Sequence, residues 1–178
     1  MATLVLTAEE VREARFMAGS RLTAEHVPDS LITGSLVLGA ASDYVFEKVR
    51  QSLDLSKLSA ADRVIAERFA DERDDDIANF VNQVLKPPQR QQMRRGVLYR
   101  CTGNIIVAVQ QISNERAGLI GQTVANVPTQ ASATDWEKKR DHFYLLADGE
   151  IERLNNAFGD DAFGTASRVP KYTLITLG

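Results

Sequence analysis

The sequence predicts an all-α fold: a small helical bundle with a long loop and an extended, strand-prone C-terminal arm. Three observations predict it. Two stretches, Pro88–Ile112 and Asp135–Phe158, repeat apolar residues at steps of three and four, which puts each set on one helix face. Helix starts and stops recur before and after them, at Thr7, Ser59, Pro87-Pro88 and Gly159. The last residues, Lys171 to Leu177, are rich instead in β-branched and aromatic types, which favour strand. The bundle is expected over residues 1–158 and the arm over 159–178.

The first helix starts at Thr7, whose partner Glu10 completes a capping-box spacing. Val11, Ala14 and Ala18 form its inner side, and Gly19-Ser20 ends it. Pro28-Asp29-Ser30 reads as a turn and a new start, with Leu31-Ile32 plugging into the core. A helix from Ser35 to Leu53 carries Leu38, Ala41, Tyr44 or Val45, and Val49 inward. Gly39, Ala40 and Ala41 make one of its sides small enough for close approach of another helix.

Ser59 and Asp62 mark the next start, and Val64, Ile65 and Phe69 lead into the acidic run 71–76. Ile77, Phe80, Val81, Val84 and Leu85 follow, as one long helix or as two with a kink at the acids. Pro87-Pro88 stops that pattern, and Pro88 can open the next helix. Met93, Val97, Leu98, Cys101, Ile105, Ala108, Val109 and Ile112 make its inner stripe. Ser113–Ala133, with Gly118, Gly121 and Pro128, reads as a long loop, a type that usually serves function or interaction. Thr134 is the expected cap of the last helix, whose stripe is Trp136, Phe143, Ala147, Ile151, Leu154 and Phe158.

Composition narrows the function. Hydrophobic residues make up 44% of 178, enough for a folded core. The net charge of −3 argues against a dedicated nucleic-acid binder, which normally carries a plain basic excess. Cys101 is the only cysteine, so no internal disulfide is possible, and its place on an apolar stripe makes it a small core residue. No apolar run is long enough to span a bilayer, and no signal-peptide pattern opens the chain, so a soluble protein of a reducing compartment is expected.

Candidate reactive groups are sparse. The acids Asp74, Asp75 and Asp76 invite a divalent cation, but the calcium-loop pattern needs alternating acids and a glycine that is not there. A solvated face, or a surface that repels DNA phosphates, fits them better. Arg90, Arg94, Arg95 and Arg100 flank the central helix, and Lys138, Lys139 and Arg140 the last one; partner contact ranks above DNA contact for both. His26 and His142 are too isolated for a zinc site, and no serine sits in a glycine-flanked elbow. Trp136 and Phe143 are expected as core anchors. No catalytic, cofactor or metal residue is expected.

The order of pieces resembles the head–tail connector, or adaptor, proteins of tailed bacteriophages. The residues that carry the likeness are the Asp-Ser-Leu-Ile turn at Asp29–Ile32, the Ala-rich LVLGAASDYVFEKVRQSL at Leu36–Leu53, RQQMRRGVLYRCTGNIIVAVQQI at Arg90–Ile112, and DWEKKRDHFYLLADGEIERL at Asp135–Leu154. The likeness covers Thr7 to Phe158. It implies a virion protein made in the host cytoplasm: a dodecameric ring beneath the portal protein and above a stopper or tail-completion protein. DNA would pass through the lumen unbound, with no membrane involved. It also implies an arm that contacts the portal or a neighbouring subunit, here Lys171, Tyr172, Thr173, Leu174, Ile175, Thr176 and Leu177. Asp74, Asp75, Asp76, Arg94 and Arg95 would then be lumen or interface charges. Two other readings remain: a helical DNA-binding or packaging-associated regulator using Arg90–Arg100 on phosphate, and a small metal-dependent enzyme using Asp74–Asp76.

Overall fold

In the computed structural model the described residues are 4–69, 74–120 and 133–156, and every regular element among them is helical. Helix α1 spans Ala8–Ala18 and α2 Asp29–Ile32. A turn of π-helix at Ser35–Gly39 runs into α3, Ala40–Ser52. A 3₁₀ turn at Leu55–Lys57 precedes α4, Ala60–Phe69. Helix α5, Asp74–Asn79, continues into a π turn at Phe80–Val84. The two long helices are α6, Pro87–Ile120, and α7, Ala133–Asn156. The expected strand-prone arm, 159–178, lies outside the described residues, as does Phe158.

Helices α6 and α7 are antiparallel neighbours. Gln89 near the start of α6 donates to the Leu154 carbonyl near the end of α7, at 3.4 Å. Further along α6, Gly103 and Asn104 meet Tyr144. Helices α1 and α3 also pack on α6, and α3 touches α7 as well. Helix α6 therefore has neighbours on several sides, and this explains its burial pattern. Met93, Val97, Cys101 and Ile105 are buried as their spacing predicts, but so are Thr102 and Ile106, which lie off that stripe. Thr102 tolerates burial because its hydroxyl donates to the Leu98 carbonyl, 2.9 Å away.

The capping box at α1 is formed in full: Glu10 N–H donates to Thr7 Oγ1 at 3.2 Å and Thr7 N–H to Glu10 Oε2 at 2.8 Å. Ser59 caps α4 through the Asp62 N–H, 3.1 Å away. On α3 the inward residue is Val45, fully buried, and Tyr44 is half-buried. Ile32 is fully buried, as expected of a core plug. Gly34, before the π turn that follows, sits close against the backbone of α2. A Cβ there would stand 3.0 Å from the Ser30 carbonyl oxygen and 3.3 Å from that of Leu31. The apolar segments on either side of the acids are separate helices that share one aromatic contact. The Phe69 and Phe80 rings stack with centroids 4.4 Å apart.

Three expectations need correction. Helix α6 does not end at Ile112 but runs on to Ile120, so the first part of the expected loop Ser113–Ala133 is helical. Glu115, Arg116, Ala117 and Leu119 are good helix formers, and extending an existing helix is cheap next to starting one. Gly118 costs only about 1 kcal/mol in that position. The remainder of that loop, 121–132, lies outside the described residues. Thr134 lies inside α7, which begins at Ala133, so it is not the cap. Trp136 is not a buried anchor: it is half-buried at the edge of the core, whereas Phe143, Ala147, Ile151 and Leu154 are buried.

Candidate interaction surfaces

Several polar side chains hold one helix to another. Arg94 on α6 donates to Glu10 on α1 through both Nε, 3.1 Å from Oε1, and Nη2, 2.6 Å from Oε2. Its Nη2 also reaches the Val5 carbonyl at 3.1 Å. Burial alone would raise the Glu10 carboxyl pKa. The Arg94 hydrogen bonds and charge, with those from Thr7, outweigh it and hold the group below the ordinary carboxylate value. Arg15 is buried inside α1, where Nε donates to the Val27 carbonyl at 2.8 Å and Nη2 pairs with Asp29. Lys139 on α7 donates to the Ala18 carbonyl at 2.7 Å, capping the last turn of α1.

Arg100 differs from these. Its guanidinium carbon lies 3.7 Å from the centre of the Tyr44 ring on α3 and 3.5 Å from that of Tyr144 on α7. Both tyrosine hydroxyls are fixed: Tyr44 donates to Asp148 at 2.6 Å and Tyr144 to Asn104 Oδ1 at 2.8 Å. Asn104 in turn donates to the Val37 carbonyl at 3.1 Å. Burial, then the hydrogen bond to the Asp148 carboxylate and its negative charge, pushes the Tyr44 hydroxyl up to about 12. The Tyr144 ring can lie this close to α6 because residue 103 is glycine. A Cβ at that position would stand 2.3 Å from a ring carbon.

The other candidates fall in varied places. Arg95 is exposed and donates to the Tyr99 hydroxyl at 3.0 Å. Arg90 is half-buried. Arg140 pairs with its neighbour Asp141 at 3.0 Å, and Lys138 is exposed. Asp74, Asp75 and Asp76 form the first turn of α5, where negative charge favours the helix. Asp75 is exposed and Asp76 half-buried. Lys171–Leu177 lie outside the described residues. His26 closes a local turn with Thr23, its Nδ1 3.0 Å from the Thr23 hydroxyl, and His142 is exposed with its ring edge-on to Phe143. Among the described residues no group of three or more His, Cys, Asp or Glu could hold a metal ion, and no helix is long and apolar enough to cross a membrane.

Grooves mark the surface of the described residues, two of them near these helices. One of about 400 Å³ lies along α3, with Phe46, Phe69 and Ile77 beneath and Asp43, Glu47 and Lys48 at its rim. The other, of about 260 Å³, lies where α1 ends and α7 begins, between Leu22, Trp136 and Lys139. Sequence reasoning missed a different feature, the large apolar side chains that point outward. Phe16 on α1 is 67% exposed and Leu145 on α7 is 71% exposed. The buried positions of the same helices include Ala14 and Ala18 beside Val11, and Ala147 beside Phe143, Ile151 and Leu154. The signal was present as phase: Phe16 and Leu145 fall between the stripe positions of their helices. The Arg100 clamp was missed too, because its two tyrosines come from helices far apart in sequence. No protein-family model, curated protein or solved structure matches the chain.

Proposed function

We propose that this chain is a structural head-to-tail connector subunit of a tailed bacteriophage. In this reading it forms a ring beneath the portal, joins capsid to tail, lets DNA pass through the lumen, and catalyses nothing. The order of sequence segments suggests the family. One structural observation supports assembly: α1 and α7 turn Phe16 and Leu145 outward, although smaller residues, Ala14, Ala18 and Ala147, are among those they bury. Covering such a side chain with a neighbouring subunit would be worth about 1.5–3 kcal/mol. Large apolar residues in such positions suit contacts with neighbouring subunits. The DNA-binding alternative is weaker, because Arg94 is engaged by Glu10 and the faces of Arg100 by two aromatic rings.

The test is the mass and shape of the purified protein, alone and mixed with the cognate portal ring. A dodecameric ring formed on the portal is the expected result. A monomer or dimer that ignores the portal would overturn the proposal. Deleting Pro170–Gly178 tests the arm separately: the shortened chain should fold but no longer attach.

A further inference from the structure

The Arg100 guanidinium of α6 is held between rings from two other helices, yet its N–H donors have no partner among the described residues. It sits on α6 at stacking distance from Tyr44 of α3 and Tyr144 of α7. A planar group has two faces, and two rings this close occupy both. What remains is the edge, which carries all five N–H donors. Among the described residues no carboxylate or carbonyl accepts from it, and the Asp148 carboxylate accepts from the Tyr44 hydroxyl. The side chain is half-buried, so a charge meeting that edge would be screened less than on open surface. We propose that the edge of Arg100 is a receptor for a carboxylate on an acidic segment of another protein chain.

The chemistry favours that ligand. A guanidinium fork matches a carboxylate with two parallel hydrogen bonds, and here the fork is already oriented, so little entropy is lost on binding. Arginine and tyrosine clustered on one surface are the residue types that dominate protein–protein binding energy. A nucleic-acid strand is the poorer ligand. With a tyrosine ring on each face Arg100 cannot stack on a base, and the chain lacks the basic excess that a run of phosphates needs, whereas a single carboxylate needs only the one fork. The assignment stands on side chains alone, so its failure would leave the ring proposal untouched.

The experiment is an NMR titration of the full chain with acetyl-Glu-Glu-Glu-amide, following the Arg100 Nε–H signal. Sodium chloride at matched ionic strength and oligothymidylate serve as comparison ligands. The expected result is a saturable shift with the peptide alone, weakened about tenfold or more in Arg100→Lys, which keeps the charge but loses the fork. Tyr144→Phe, which keeps the ring, should retain binding. A shift no larger than that from chloride overturns the proposal, and so does an equal or larger shift with oligothymidylate, which would make the site a phosphate receptor. If Arg100→Lys fails to fold, the titrations of the unaltered protein still decide.

Discussion

Arg94 binds Glu10 with both ends of its guanidinium fork, and Glu10 is at the same time the reciprocal partner of Thr7 in the α1 capping box. One carboxylate thus fixes the start of α1 and ties that helix to α6. The two side chains are partly exposed, so the pair should be worth less than a buried one. In a double-mutant cycle with Glu10→Ala and Arg94→Ala, urea unfolding should give a coupling of about 1 kcal/mol. Additive effects would mean that the fork contributes nothing beyond its separate ends.

The same carboxylate sets a pH dependence. Its folded-state pKa is depressed, by Arg94 and Thr7 acting against burial. Its stabilising effect is therefore complete above the unfolded carboxylate value of about 4.3, and is lost as pH falls through the lower folded value. Unfolding midpoints in urea from pH 6 down to about pH 3 should show wild type losing its advantage over Glu10→Gln across that lower range. An advantage that stays constant to the acid limit would mean the charge on Glu10 is irrelevant.

How much of this was legible in the sequence follows from the range of each signal. Caps at Thr7 and Ser59 and the stripe of α6 depend on residues three or four apart, and spacing alone located them. The length of α6 was misjudged because Gly118 and the polar residues after Ile112 resemble a loop only when the cheap extension of an existing helix is ignored. The Arg15–Val27 and Gln89–Leu154 contacts need distant chain segments side by side. Gln89 looks like an ordinary polar residue, yet it is buried, accepts from Lys86 N–H at 2.9 Å and donates to α7. The interaction surfaces were the least legible. Tyr44, Arg100 and Tyr144 converge only after α3, α6 and α7 have packed.

Gly103 gives a steric test of the α6–α7 contact. A methyl group there would meet two carbons of the Tyr144 ring at 2.3 and 2.6 Å, so the ring must move. Gly103→Ala should destabilise the protein by about 1–3 kcal/mol, although alanine is the better helix former by about 1 kcal/mol. In a Tyr144→Ala background the clash is gone, and the same substitution should be neutral or stabilising. Thermal or urea unfolding of the four proteins decides. If Gly103→Ala is harmless in both backgrounds, the ring does not lie against α6.

Cys101 makes the last prediction, at the alkaline end. The thiol is fully buried on α6, with Sγ 3.9 Å from the Val37 carbonyl, and desolvation pushes its pKa up to about 12. In the unfolded chain a thiol ionises near 8.5, so above that pH the unfolded state holds fewer protons than the folded one. Stability must then fall with rising pH, by about 1.4 kcal/mol per unit from this group, until the folded value is reached. Cys101→Ala removes the effect while leaving a small cavity, so the variant starts weaker at pH 7. Its deficit should shrink between about pH 8.5 and 10.5 as ionisation of the unfolded thiol erodes wild-type stability. Paired urea titrations over that range measure the gap, and a gap that does not narrow would mean that the Cys101 thiol ionises as easily in the folded protein as in the unfolded chain.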